Sequence, residues 1–299
     1  MAKNFDHFEQ LNKEKLVVPR IILNFFRHSI KEPRGNKENK DVQLTQEGRE
    51  LAKSKFHAKD SYALAFADKD DRTKETALLM AFGGDMETDS LIETSEQVNQ
   101  DLKYGSRLGQ DDRLAFKNSH ETGYHLKLRE SFDRKEPLKF LVEESDYIAE
   151  MLNDEGGATY SRMASQIAQV IEKYLKAVDN WESILESKPE EYDSSTLERF
   201  LGTHRGLCES FVAKVIEKTL GKAERDEFVK VLDSQCFSET EGFSVDIGKY
   251  NEEKIVFISF EKRSKTNGEV IYSFEKAVPL NILQEIIEEG KRVKEVYNA

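Results

Sequence analysis

Two short apolar runs, each delivering the chain into a helix, constrain this sequence more than any other feature. Val17–Arg27 (VVPRIILNFFR) joins Ile-Ile-Leu and Phe-Phe in one stretch, the pattern of a strand buried on both faces. Tyr62–Ala67 (YALAFA) repeats it more briefly. A polar loop over 29–41, broken by Pro33, Gly35 and Asn36, follows the first run. Thr45 then reads as the N-cap of an amphipathic helix with Leu44, Gly48, Leu51, Ala52 and Phe56 along one side. The second run leads into a helix over about 71–82 that stops at Gly83-Gly84. Parallel strands need a long crossover, usually helical, so strand-helix-strand-helix predicts an α/β fold. The expectation is three α/β/α layers around a mostly parallel central sheet.

The remaining chain fits one domain spanning 1–299. Residues 85–155 are charged and weakly patterned and read as a mainly helical insertion capping the sheet edge, with a short helix near 143–153. Met163, Ile167, Val170, Ile171, Tyr174 and Val178 hold helical spacing over 158–178. A strand over 197–203 precedes a helix whose inner face carries Leu207, Phe211, Val215 and Ile216. The C-terminal part, 241–299, offers β-rich runs at 254–260 and 270–274, a turn at Thr266-Asn267-Gly268 and a last helix over 280–296.

Composition excludes whole classes of function. With 45 Lys plus Arg against 57 Asp plus Glu, the net charge is −12, and a general nucleic-acid surface is disfavoured. A few arginines in a cleft can still capture a small anion. Two cysteines, Cys208 and Cys236, rule out a disulfide framework or a multi-thiolate metal site. No run of 18 apolar residues exists to span a membrane, and the first 17 residues lack a signal-peptide core. The expectation is a cytoplasmic protein with no nucleic-acid or membrane partner. His120-Glu121-Thr122-Gly123-Tyr124-His125 has one residue too many for a helical zinc pair, and no Gly-rich nucleotide loop occurs. No cofactor or metal is expected.

Reactive side chains gather where predicted strands end. Arg27-His28 closes the first strand, Arg72 opens the helix after the second, and His204 closes the strand over 197–203. Open α/β sheets bind ligands at that edge. Two arginines and two histidines there suit a phosphate dianion, because guanidinium forks match its oxygens. Lys31, Arg34, Lys37 and Lys40, in the first loop, read as a solvated face.

These residues resemble the histidine phosphatase superfamily, the phosphoglycerate-mutase-like family. Its Arg-His-Gly opening is similar to Arg27-His28-Ser29 here, and its Asp-x-Pro-Leu-Thr-x-x-Gly loop to Asp41-Val42-Gln43-Leu44-Thr45-Gln46-Glu47-Gly48. Its Arg-Ala-x-x-Thr-Ala helix start is similar to Arg72-Thr73-Lys74-Glu75-Thr76-Ala77, and its late Ser-His-Gly-Gly to Thr203-His204-Arg205-Gly206. Each motif alone is short; the ordered set, each member in its expected strand-to-helix context, carries the resemblance. The match leaves out 85–155 and the last 60 residues. Ser29 and Arg205 replace glycines, and Ala67-Asp68 stand where a Ser pair is common.

The resemblance implies a phosphomonoester hydrolase acting on a small phosphorylated substrate. In that reading His28 attacks phosphorus, while Arg27, Arg72 and His204 hold the oxygens. Arg205, bulky beside the second histidine, either joins the phosphate-binding residues or obstructs the pocket. Asp101 in Asp101-Leu102-Lys103-Tyr104-Gly105-Ser106-Arg107-Leu108-Gly109 resembles the proton donor of the Glu-x-x-Tyr-Gly-x-x-x-Gly run, with Glu93 and Glu96 as competitors. The alternatives are a non-catalytic phospho-ligand binder or scaffold and a phosphoglycerate-mutase-type phosphotransferase.

Overall fold

The computed structural model describes residues 17–56, 62–83, 108–117, 122–190, 195–251, 253–264 and 266–295. Strand β1 (Val17–Arg27) lies at the centre of a seven-stranded sheet with β2 (Tyr62–Ala67), β3 (Leu108–Gln110), β4 (Thr196–Thr203), β5 (Gly242–Tyr250), β6 (Glu253–Arg263) and β7 (Val270–Val278). The order is β3-β2-β4-β1-β5-β6-β7. The first four strands run parallel to one another, as the crossover argument requires. The three C-terminal strands continue the same sheet antiparallel from β1.

Helix α2 (Asp71–Phe82) covers one face of the parallel half, and α1 (Gln46–Lys53) packs against α2. Along the middle of the chain run α3 (Gly123–Asp133), α4 (Pro137–Glu143), α5 (Ser145–Met151) and the long α6 (Tyr160–Ser187). After β4 come α7 (Leu207–Leu220) and α8 (Lys222–Val231), and α9 (Leu280–Glu295) closes the described chain. Alternate residues of β1 divide the core. Ile21, Leu23 and Phe25 enter the main cluster with Ile167, Val170, Phe211, Val215 and Ile286, whereas Phe26 joins Ala65, Phe200, Ala77 and Leu78 on the other face. That division gives the three layers.

Several details differ from expectation. The helix predicted over 158–178 continues to Ser187, because Trp181 carries the buried stripe onward. The segment 85–155 is not wholly a cap: β3 pairs with β2 and extends the parallel sheet by one strand, followed by the helices α3, α4 and α5. Cys208 is buried and Cys236 partly buried, both free. Among the described residues no helix is long and apolar enough to cross a membrane.

Candidate active site

Register, rather than sequence proximity, assembles the site. Arg27 pairs with Thr203 across β1 and β4, and Ala67 pairs with Gly202 across β2 and β4. The next residues, His28, Asp68 and His204, therefore leave three adjacent parallel strands at one level. The His28 amide donates to the Thr203 carbonyl at 2.9 Å and fixes that level. A cavity of about 1050 Å³ opens there, lined by Arg27, His28, Lys31, Asp68, Asp70, Arg72, His204 and Arg205, with Phe116, Lys117 and Phe132 on its outer wall. A separate hollow of about 460 Å³ lies over β1, β5 and β6, lined by Asn24, Phe26, Ser244 and Ser259.

His28 is 7% exposed. Its Nδ1 lies 2.8 Å from the Ser29 carbonyl. A carbonyl only accepts, so Nδ1 carries the proton and Nε2 the lone pair. Burial, followed by the neighbouring His204, holds the imidazole well below its usual range of proton affinity, with Arg72 and Arg27 adding to the effect. The ring remains neutral at pH 7. The Ser29 substitution fits without strain: its amide donates to Thr76 Oγ1 at 3.0 Å and its hydroxyl to the Gly48 carbonyl at 2.8 Å.

His204 meets His28 edge to face, with ring centroids 5.6 Å apart. Its Nε2 donates to Asp68 Oδ2 at 2.7 Å, while Nδ1 lies 3.5 Å from the Arg72 guanidinium. Asp68 also accepts from Thr73 Oγ1 at 2.5 Å. Burial would raise the Asp68 carboxyl, but the His204 and Thr73 hydrogen bonds outweigh it and hold the group below the usual range. Asp70 is pushed the other way, by burial and by Asp68.

Both arginines of the expected cage are built in. Arg72 donates to the Asn39 carbonyl at 2.6 Å and to Asp70 at 2.5 Å. Arg27 donates to the Phe237 carbonyl at 2.7 Å and to Glu239 at 2.6 Å. The Phe237 loop is itself pinned by Glu209, fully buried, which accepts from the Phe237 and Gly206 amides at 2.6 and 2.9 Å. Each cage arginine also has a buried Nε–H with no hydrogen-bond partner among the described residues.

Of the residues expected at the site, Arg27, His28, Arg72, His204 and Arg205 line one cavity, and Asp101, Glu93 and Glu96 fall outside the described residues. Lys31 adds to an expectation. It is exposed, as expected of the first loop, and together with Lys40 it also lines the cavity, its ammonium depressed by partial burial and by Arg72. Asp70, Asn39, Glu209 and Glu239 join the site with no expectation from the sequence, and Asp68, noted there only as standing where a Ser pair is common, holds His204. The spacing Asp68-x-Asp70-x-Arg72 was available as a signal; Glu239 and Glu209 were not, since both act through a loop remote from the site in sequence. Asp68, Asp70 and His204 bring three metal-type ligand atoms within 4.8 Å of one another. Each of those atoms is already committed, Asp68 and His204 to each other and Asp70 to Arg72.

No protein-family model and no curated protein matches the chain. Solved structures do. The SixA protein of Agrobacterium tumefaciens, named a phosphohistidine phosphatase, is 11% identical over 77% of this chain and 91% of its own, with a TM-score of 0.29. A mycobacterial glucosyl-3-phosphoglycerate phosphatase is 12% identical over 77% and 89%, with a TM-score of 0.38. A Hafnia alvei phytase is 10% identical over 92% and 97%, with a TM-score of 0.37. At such values these likenesses carry no weight of their own. What the chain itself supplies is the ordered motif set, and in that it resembles the histidine phosphatase superfamily.

Proposed function

We propose that the protein is a phosphomonoester hydrolase working through a phosphohistidine at His28. The observation that carries this reading is the state of His28: neutral, with Nδ1–H fixed on a carbonyl, and facing a cavity ringed by Arg27, Lys31, Arg72 and His204. The Nε2 lone pair attacks phosphorus and the ester P–O bond breaks, its electrons leaving with the alkoxide, which takes a proton. Water then attacks phosphorus, the N–P bond breaks, and His28 returns to its neutral form as inorganic phosphate is released. Covalent catalysis divides one hard displacement into two easier ones. The cations stabilise charge on the transferring group, usually the largest contribution.

Rapid-mixing trapping with labelled substrate in excess chelator tests it. A burst of acid-labile, base-stable label is expected, absent in His28→Ala. Label that survives in the variant, or that forms only with added metal, sinks the reading. The proton donor is proposed to be Asp101 on the resemblance, with Asp70 as the cavity carboxyl whose proton affinity is raised. Substitution of the true donor by Asn slows alkyl phosphates strongly and spares nitrophenyl phosphate, whose leaving group needs little protonation. A variant that slows both substrates equally is not missing the donor.

One observation favours a second reading, a non-catalytic binder of phosphorylated ligands. Both cage arginines already carry a carboxylate partner, Glu239 and Asp70. That reading predicts tight phosphate binding with no burst.

A further inference from the structure

Arg205 lines the same cavity as Arg27 and Arg72 but is held differently. Those two spend terminal nitrogens on a carbonyl and a carboxylate each. Arg205 makes no hydrogen bond or ion pair with another described residue. Its guanidinium instead lies over the Phe132 ring, 5.5 Å from the centroid. The N–H donors of a guanidinium lie in its plane, so a group held through its face keeps them free for a ligand. Its charge reaches Arg27 and Lys31 and weakens proton binding at both.

The surroundings suit an anion more than a cation. Lys117 and Phe116 share the outer wall with Phe132. The acids lining the cavity are engaged: Glu38 pairs with Lys40 at 3.2 Å, Asp112 accepts from Gln110 at 2.9 Å, and Asp68 and Asp70 hold His204 and Arg72. A volume of about 1050 Å³ also exceeds what one phosphate fills, since cavities of roughly 300–1000 Å³ enclose whole drug-sized ligands.

We propose that Arg205, stacked on Phe132 in the cavity that Lys117 also lines, forms a second anion subsite, and that the ligand is a phosphomonoester bearing another oxyanion on the part that is not transferred. Naming that ligand a substrate rests on the hydrolase reading; the binding claim does not. Titration calorimetry on the intact protein tests it with alkylphosphonates, ω-carboxyalkylphosphonates and α,ω-bisphosphonates of matched length, two to four carbons, none of them a phosphate ester. Wild-type protein is expected to bind a second-anion ligand at least tenfold more tightly than the alkyl ligand of equal length, and Arg205→Gln to bring that ratio close to one. Whether the carboxylate or the bisphosphonate series shows the larger ratio identifies the second group. Each ratio is taken within one protein, so a lower folded fraction in the variant divides out. No preference in the wild type, a preference that survives Arg205→Gln, or a variant that weakens all three series alike overturns the subsite. If nitrophenyl phosphate is not turned over while the preference holds, the hydrolase reading falls and the subsite stands.

Discussion

At the residue scale the site runs on burial of like charges and on fixed tautomers. Arg72 and His204 are each under 10% exposed and each joined to a carboxylate, so their positions are set before a ligand arrives. Removing either is expected to cost about 3–4 kcal/mol of transition-state stabilisation, a loss of roughly 10²–10³ in turnover. Steady-state kinetics on Arg72→Ala and His204→Ala check this, with circular dichroism to confirm the fold. Turnover of His204→Ala near the wild-type level would make the late motif a chance match. Both residues were legible because His204 directly follows a strand and Arg72 opens the helix after one. Lys31 reads as a surface lysine because it is exposed like its neighbours Arg34 and Lys37, and sequence gives no sign that it also lines the cavity.

At the element scale, the contact between the loop after β1 and α1 sets how His28 is presented. Thr45 caps α1 by accepting from the Gly48 amide at 3.0 Å, as its sequence position suggests. Gly48 packs so tightly that a Cβ there would meet the Ile30 carbonyl oxygen at 2.1 Å. That oxygen already accepts from the Thr45 amide, and the Gly48 carbonyl accepts from Ser29. Gly48→Ala is therefore expected to destabilise the protein by about 1–3 kcal/mol, a typical overpacking cost, and to lower turnover by displacing the residue next to His28. Urea denaturation checks the first effect; a variant of unchanged midpoint would show that the loop yields freely. Elements with long apolar periodicity, such as β1 and α6, were legible in the sequence. β3 was not, since three residues carry no period and its pairing with β2 depends on the sheet already existing. Nor could the sequence show that β5, β6 and β7 extend the sheet from β1, because alternation reveals a strand but not its neighbour.

Across the whole molecule, a chain of net charge −12 gathers Arg27, Lys31, Arg72 and Arg205 around one cavity. Burial depresses Arg27 and Lys31, and nearby cations depress them further, so the charges gathered in the site repel one another. A bound dianion relieves that repulsion and binds only the folded state, and linkage then makes it a stabiliser of the entire domain. At about 100 times its dissociation constant, inorganic phosphate is expected to add about 2.7 kcal/mol. At roughly 2 °C per kcal/mol for a domain of this size, Tm should rise by about 5 °C. Excluded-salt effects of phosphate also stabilise proteins, but those act on any folded surface and do not require a particular arginine. Differential scanning fluorimetry on wild-type and Arg72→Ala proteins, in phosphate and in sodium chloride of equal ionic strength, separates the two sources. A shift specific to phosphate in the wild type, and mostly lost in the variant, places the anion at the head of β1, β2 and β4. Equal shifts in both proteins would mean that phosphate acts on the surface and that the cations around His28 do not form an anion site.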